Sequence, residues 1–125
     1  MAAKILIVED EEPIAQTLEA LLNAKGYRAS YVTDGAEAVA RARKEKPDVI
    51  FLDVMLPRIG GFDVCKLLTK DPETKRIKVI MITALGRMGD VETAFASGAT
   101  DYIIKPFDTD RLLKKLEKVL QKSSS

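Results

Sequence analysis

The sequence predicts an α/β fold: a doubly wound sheet of five parallel strands in the order 2-1-3-4-5. Three observations predict it. Short apolar runs of strand length recur along the chain, and helix-length segments separate them. Four of the runs stop at residues that are poor core fillers. Ile5-Leu6-Ile7-Val8 ends in Glu9-Asp10, and Val49-Ile50-Phe51-Leu52 ends in Asp53. Val79-Ile80-Met81-Ile82 ends in Thr83-Ala84, and Tyr102-Ile103-Ile104 ends in Lys105-Pro106. An unbroken run of about four apolar residues fits a strand buried on both faces. Strands joined by helices form right-handed βαβ units and a parallel sheet.

Each element has its own signal. After the first strand, Ile14, Leu18, Leu21 and Leu22 recur on one helical face. Pro13 suits the first turn of that helix, and Gly26 closes it. Arg28–Val32 is a shorter, weaker second strand. Residues 35–46 form an alanine-rich second helix. The third strand ends at Asp53, and Gly60-Gly61 open a loop into a helix over residues 62–69. The fourth strand covers 78–82. A fourth helix covers 87–97, with Val91 and Phe95 as its large apolar anchors, and stops at Gly98. The fifth strand covers 101–104. Leu112, Leu113, Leu116, Val119 and Leu120 mark the last helix. The reading is one domain over residues 1–122, with Ser123-Ser124-Ser125 as a disordered tail.

Composition narrows the function. The chain has 125 residues, 46% of them hydrophobic, which is enough for one core. A formal net charge of +1 gives no overall field for nucleic acid. The single cysteine, Cys65, excludes an internal disulfide and fits a reducing compartment. No apolar stretch approaches the roughly 18 residues that span a bilayer. The start, Met1-Ala2-Ala3-Lys4, has no signal-peptide apolar region. These features predict a soluble, cytoplasmic protein. The chain has no histidine, which removes imidazole from any catalytic or metal role.

In a 2-1-3-4-5 sheet the topological switch point lies between the first and third strands. Asp10 and Asp53 therefore face each other across the crevice. Glu9, Asp10 and Asp53 bring three negative charges together, and their repulsion raises one or more pKa values. A hard divalent cation such as Mg2+, which takes oxygen ligands and keeps several waters, relieves it. Lys105 adds a positive charge beside Asp53. Thr83 adds a hydroxyl, and the small Ala84 leaves room. Together these groups make a cradle for a phosphoryl group on Asp53, where positioning and charge neutralisation are the main requirements.

The ordered set Glu9-Asp10, Asp53, Thr83-Ala84, Tyr102 and Lys105-Pro106 resembles the receiver domain of bacterial two-component response regulators, a flavodoxin-like (βα)5 fold. The resemblance covers Lys4 to about Leu120. It implies that Asp53 is the phosphoacceptor and that Mg2+ is held by Asp10 directly, by Glu9 through water, by Asp53, and by the backbone carbonyl of Met55. It also implies that Thr83 and Lys105 bind the phosphoryl oxygens, that the Lys105–Pro106 peptide is cis, and that Tyr102 is the switch aromatic, turning inward as Thr83 moves. Met55 and Leu85 occupy positions where the family tunes water access to the phosphoryl group. The implied donor is a sensor histidine kinase or a histidine phosphotransfer protein. The implied output is a downstream effector protein or a fused output domain. No direct nucleic-acid or membrane contact is implied, and no turnover substrate.

Taken singly, most of these residues have ordinary readings. Asp10 and Glu9 suit a helix start, Thr83 a cap, and Tyr102 a packed aromatic. Cys65 reads as a small core hydrophobe. Lys114, Lys115, Lys118 and Lys122 read as a solvated basic stripe on the last helix. Two other functions are weighed. An aspartate-nucleophile phosphohydrolase would carry Asp-x-Asp after the first strand, where this chain has Asp10-Glu11-Glu12. A flavodoxin-like mononucleotide binder needs a glycine- and hydroxyl-rich loop there, and the run Glu9–Glu12 would repel a phosphate.

Overall fold

The computed structural model describes residues 2–84 and 88–121. In chain order the elements are β1 (Lys4–Val8), α1 (Glu12–Ala24), β2 (Arg28–Val32), α2 (Gly35–Glu45), β3 (Val49–Asp53), α3 (Gly61–Lys70), β4 (Lys78–Ala84), α4 (Met88–Ala96), β5 (Asp101–Lys105) and α5 (Thr109–Gln121). All strands are parallel, in the order β2-β1-β3-β4-β5. The predicted fold class and strand order are those found.

Side-chain alternation divides the core in two. Leu6, Val8, Ile50, Leu52, Val79 and Met81 face α2, α3 and α4 through Ala38, Ala42, Val64, Cys65, Leu68 and Ala94. Ile5, Ile7, Val49, Phe51, Ile80, Ile82 and Ile103 face α1 and α5 through Leu18, Leu22, Leu112, Leu116 and Val119. Burial on both faces explains why the strands read as continuous apolar runs. Cys65 is a fully buried member of the first cluster, and burial pushes its thiol up to about 11.

Local chemistry sets the helix ends. Asp34 caps α2 by accepting the Glu37 amide at 2.8 Å. That helix stops one residue before the predicted end, because Lys46 turns left-handed with φ 48°. Gly26, with φ 95°, turns the chain after α1. The outer edge of β2 is partly closed by Asn23, whose side-chain amide donates to the Ala29 carbonyl at 3.2 Å and accepts the Ala29 amide at 2.9 Å.

Three expectations need correction. β4 runs to Ala84, past the predicted Ile82, because its ladder with β5 pairs Thr83 with Ile104 and Ala84 with Lys105. Phe95 is not a core anchor. It is 48% exposed, and Ala94 is the α4 residue that enters the core. Ile14 lies at the margin of its helical face, 37% exposed, whereas Leu18 and Leu22 are buried. Leu85 to Arg87 and the serine tail lie outside the described residues.

The start of α3 bears directly on Asp53. A Cβ on Gly61 would lie 2.2 Å from the Asp53 carbonyl oxygen, so only glycine lets the helix come this close to the end of β3. Gly60 stands at the N-cap with φ −66°, no side-chain cap, and open space where its Cβ would be. Gly60→Asp is expected to stabilise the fold by about 0.5–1 kcal/mol through a new cap and a less flexible unfolded chain. Gly61→Ala is expected to destabilise it by about 2 kcal/mol or more through the clash. Urea unfolding midpoints check both, and an unchanged midpoint in Gly61→Ala would contradict the close-approach account.

Candidate functional site

Four strand ends converge at one rim of the sheet. Val8 pairs with Leu52 and Asp53 with Ile82, so Glu9 follows β1 beside Asp53, and Thr83 lies one residue beyond Asp53's partner. Glu9 is 1% exposed and Asp53 4%, whereas Asp10 is exposed. One carboxylate oxygen from each of the three lies within 4.8 Å of the others.

The buried carboxylates are held by few groups. The Lys105 ammonium donates to Asp53 Oδ2 at 2.9 Å and to Glu9 Oε1 at 3.4 Å. The Met55 amide donates to Asp53 Oδ1 at 2.8 Å, and the Glu11 amide to Glu9 Oε2 at 3.1 Å. Burial works against the Lys105 ammonium, but the Asp53 and Glu9 carboxylates outweigh it and hold its pKa above the ordinary value.

One ammonium does not neutralise this acidic group. Burial is the largest cause that raises the Glu9 pKa, to about 7. The Glu11 amide opposes the rise, the neighbouring Asp53 carboxylate adds to it, and Lys105 only partly offsets it. An oxygen-only donor set with surplus negative charge, part of it relieved only by a proton, fits Mg2+. Glu9, Asp10 and Asp53 supply carboxylate oxygens for such an ion.

Thr83 is 2% exposed, and its Oγ1 has no hydrogen-bond partner among the described residues. A buried hydroxyl in that state is uncommon and available to an incoming acceptor. The Lys105–Pro106 peptide is cis. Tyr102 is set apart from the carboxylates, half-buried opposite Met81 on β5. Its ring meets Phe95 edge to face, centroids 5.8 Å apart, and the Lys115 ammonium lies 4.8 Å from its centroid.

Lys115 departs from the sequence reading. It does not belong to a solvated stripe, because its ammonium donates to Asp101 at 2.9 Å and Asp101 is only 5% exposed. Burial works against the Asp101 carboxylate, but hydrogen bonds from Lys115 and the Tyr102 amide outweigh it and hold its pKa below the ordinary value. The available signal was an acid opening an otherwise apolar strand; its partner fourteen residues away is not visible in the pattern.

Residues 5–117 match the family model of the response regulator receiver domain. The chain belongs to this family. It is thus a receiver domain of the two-component type, built for signalling. It is 44% identical over 116 residues to the response regulator PleD of Caulobacter vibrioides, covering 93% of this chain but 26% of PleD. With protein PilH of Pseudomonas aeruginosa it shares 40% identity, covering 94% of this chain and 98% of PilH. The chemotaxis response regulator CheY4 of Vibrio cholerae superposes with a TM-score of 0.89 at 34% identity, covering 95% and 99% of the two chains. The chain spans about a quarter of PleD and nearly all of PilH. These relatives lend no support to the hydrolase reading. Among the described residues, no helix is long and apolar enough to cross a membrane.

The Glu9 proton has a measurable consequence. The folded state keeps it up to about pH 7, whereas the ordinary value is 4.5. Folding therefore binds a proton between these limits, and metal-free stability falls as pH rises through the window. Relative to Glu9→Gln, the wild type is expected to lose on the order of 2 kcal/mol from pH 4.5 to 7. Urea unfolding in chelator across this range checks it, and parallel profiles would contradict the account.

Proposed function

We propose that this domain is a phosphorylation-dependent switch, one folded unit over residues 1–122, whose phosphoacceptor is Asp53. The observation that carries the proposal is the Asp53 carboxylate itself. It is buried at a strand end, gripped by Lys105 on one oxygen and by the Met55 amide on the other, beside two further acids. A carboxylate oxygen of Asp53 attacks the phosphorus of a phosphodonor, the bond from phosphorus to the donor breaks, and an acyl phosphate forms. The donor is a sensor histidine kinase or histidine phosphotransfer protein, since this chain has no histidine of its own.

Lys105 is placed to transfer its grip from the carboxylate to a phosphoryl oxygen, and the unpartnered Thr83 hydroxyl can donate to another. Glu9, Asp10, Asp53 and the Met55 carbonyl would hold Mg2+, which when bound supplies charge neutralisation for the transfer. Movement of Thr83 toward the phosphoryl group frees space for Tyr102 to turn inward. The changed surface of α4, β5 and α5 is then read by a downstream effector or a fused output domain. The chain acts in the cytoplasm, without direct contact with nucleic acid or membrane, and turns over no substrate.

A small phosphodonor such as acetyl phosphate with Mg2+ is expected to add one phosphoryl group, read by intact mass. Asp53→Asn is expected to abolish it, and wild-type labelling of that variant would overturn the assignment. Asp10→Ala is expected to remove saturable Mg2+ binding and the stabilisation that the ion gives the native state. Unchanged affinity would show that the carboxylates do not share a cation. Met55 is exposed and apolar, and Leu85 lies outside the described residues. Neither side chain can orient water, so Met55→Asn with Leu85→Glu is expected to shorten the phosphoryl lifetime. Equal or slower decay would count against that.

A further inference from the structure

We propose that Lys115 is a positioning residue for Tyr102: its ammonium, anchored by the buried Asp101 carboxylate, clamps the aromatic ring in its present orientation and sets how readily the switch turns. The proposal rests on the switch reading of Tyr102 given above.

One carboxylate oxygen organises the cluster. Asp101 Oδ1 accepts the Lys115 ammonium at 2.9 Å and the Tyr102 backbone amide at 2.8 Å. It thereby ties the cation to the residue whose ring it covers. At 4.8 Å from the centroid, the ammonium is within cation–π range. Its freedom is small, because the Lys115 side chain is only 21% exposed and its partner 7%. The other Asp101 oxygen is buried and has no hydrogen-bond partner among the described residues. Losing Lys115 would therefore leave a buried carboxylate without its main counter-charge, which is costly.

Lys115 thus makes one strong contact and one weak one. The ion pair is the contact that stays, and the ring is the part that leaves. On its other side Tyr102 meets Phe95, a half-exposed residue on α4, edge to face, and packs against the buried cluster under that helix. The clamp holds the resting orientation from α5 and opposes any inward turn. A phosphoryl group must overcome that preference, so removal of the clamp should tighten binding of a phosphoryl mimic by the same factor. A partly shielded cation–π contact corresponds to about threefold to tenfold.

The test uses the full chain labelled with 3-fluorotyrosine. Its three tyrosines give resolvable fluorine resonances, and Tyr102→Phe assigns the relevant one. Lys115→Met removes the charge and keeps the stem. Combined with Asp101→Asn, it leaves no unpaired carboxylate, and either folded variant suffices. In these variants the resting Tyr102 resonance is expected to move toward its wild-type position with beryllofluoride and Mg2+. Apparent beryllofluoride affinity should tighten by about threefold to tenfold. Lys115→Arg should retain wild-type values. The clamp is overturned if both variants keep the wild-type resonance and affinity, or if Lys115→Arg shifts as far as Lys115→Met. A wild-type resonance that ignores beryllofluoride overturns the switch reading instead, and the clamp then stands or falls on the resting resonance alone.

Discussion

Glu9 and Asp53 lie almost wholly out of water at the ends of apolar strands, and the ammonium of Lys105 bridges them. A buried carboxylate without a counter-charge costs several kcal/mol even after relaxation, so this bridge limits how the rim can be built. Lys105 is carried by β5, and β4 stands between it and Asp53. The bridge is possible because the residue paired with Lys105 at the end of β4 is the small Ala84. It also requires β3 to end at a fixed height. Gly61 secures this by letting α3 press against the Asp53 carbonyl while the Gly61 amide donates to Val54. The same bridge leaves the rim with more negative than positive charge, as a cation site requires.

Much of this was legible in the sequence, because the strands are buried on both faces. An apolar run that stops at a polar or charged residue locates a sheet rim without further information, and four such stops in order place the groups of one crevice. Boundaries were legible only where local chemistry sets them. Pro13 and Gly26 bracket α1 as read, whereas the end of β4 depends on pairing with β5. Long-range partnerships were legible at the rim, where strand ends bring Lys105 to Asp53, but not between a strand and a helix. Lys115 has the spacing of an exposed helical lysine, and only the neighbouring strand reveals the buried acid it meets.

The pair Glu9-Asp10 shows the same limit on a smaller scale. As adjacent acids after a strand they look equivalent, yet one is buried and the other exposed. Alternation continues past Val8 and turns Glu9 toward the side occupied by Lys105 and Asp53, while Asp10 faces water. The unfavourable burial therefore falls on Glu9 and appears as its raised pKa. Two identical functional groups thus differ in what they bring to a cation: one must give up a proton from a dry position, and the other keeps its water.

The period of two also puts Asp53 and Lys105 on one face of the sheet and Thr83 and Tyr102 on the other. Asp53 has the parity of Val49 and Phe51, and Lys105 that of Ile103, all on the face covered by α1 and α5. Thr83 has the parity of Val79 and Met81, and Tyr102 packs with that same cluster, on the face covered by α4. Thr83, one residue beyond the partner of Asp53, therefore belongs to the opposite face of the sheet from Asp53. β5 is an edge strand, so a side chain from α5 can reach around it. Lys115 does so, binding Asp101 on one face while covering Tyr102 on the other. The open edge of the sheet is thus the place where a side chain from the helix of one layer contacts an aromatic ring of the other.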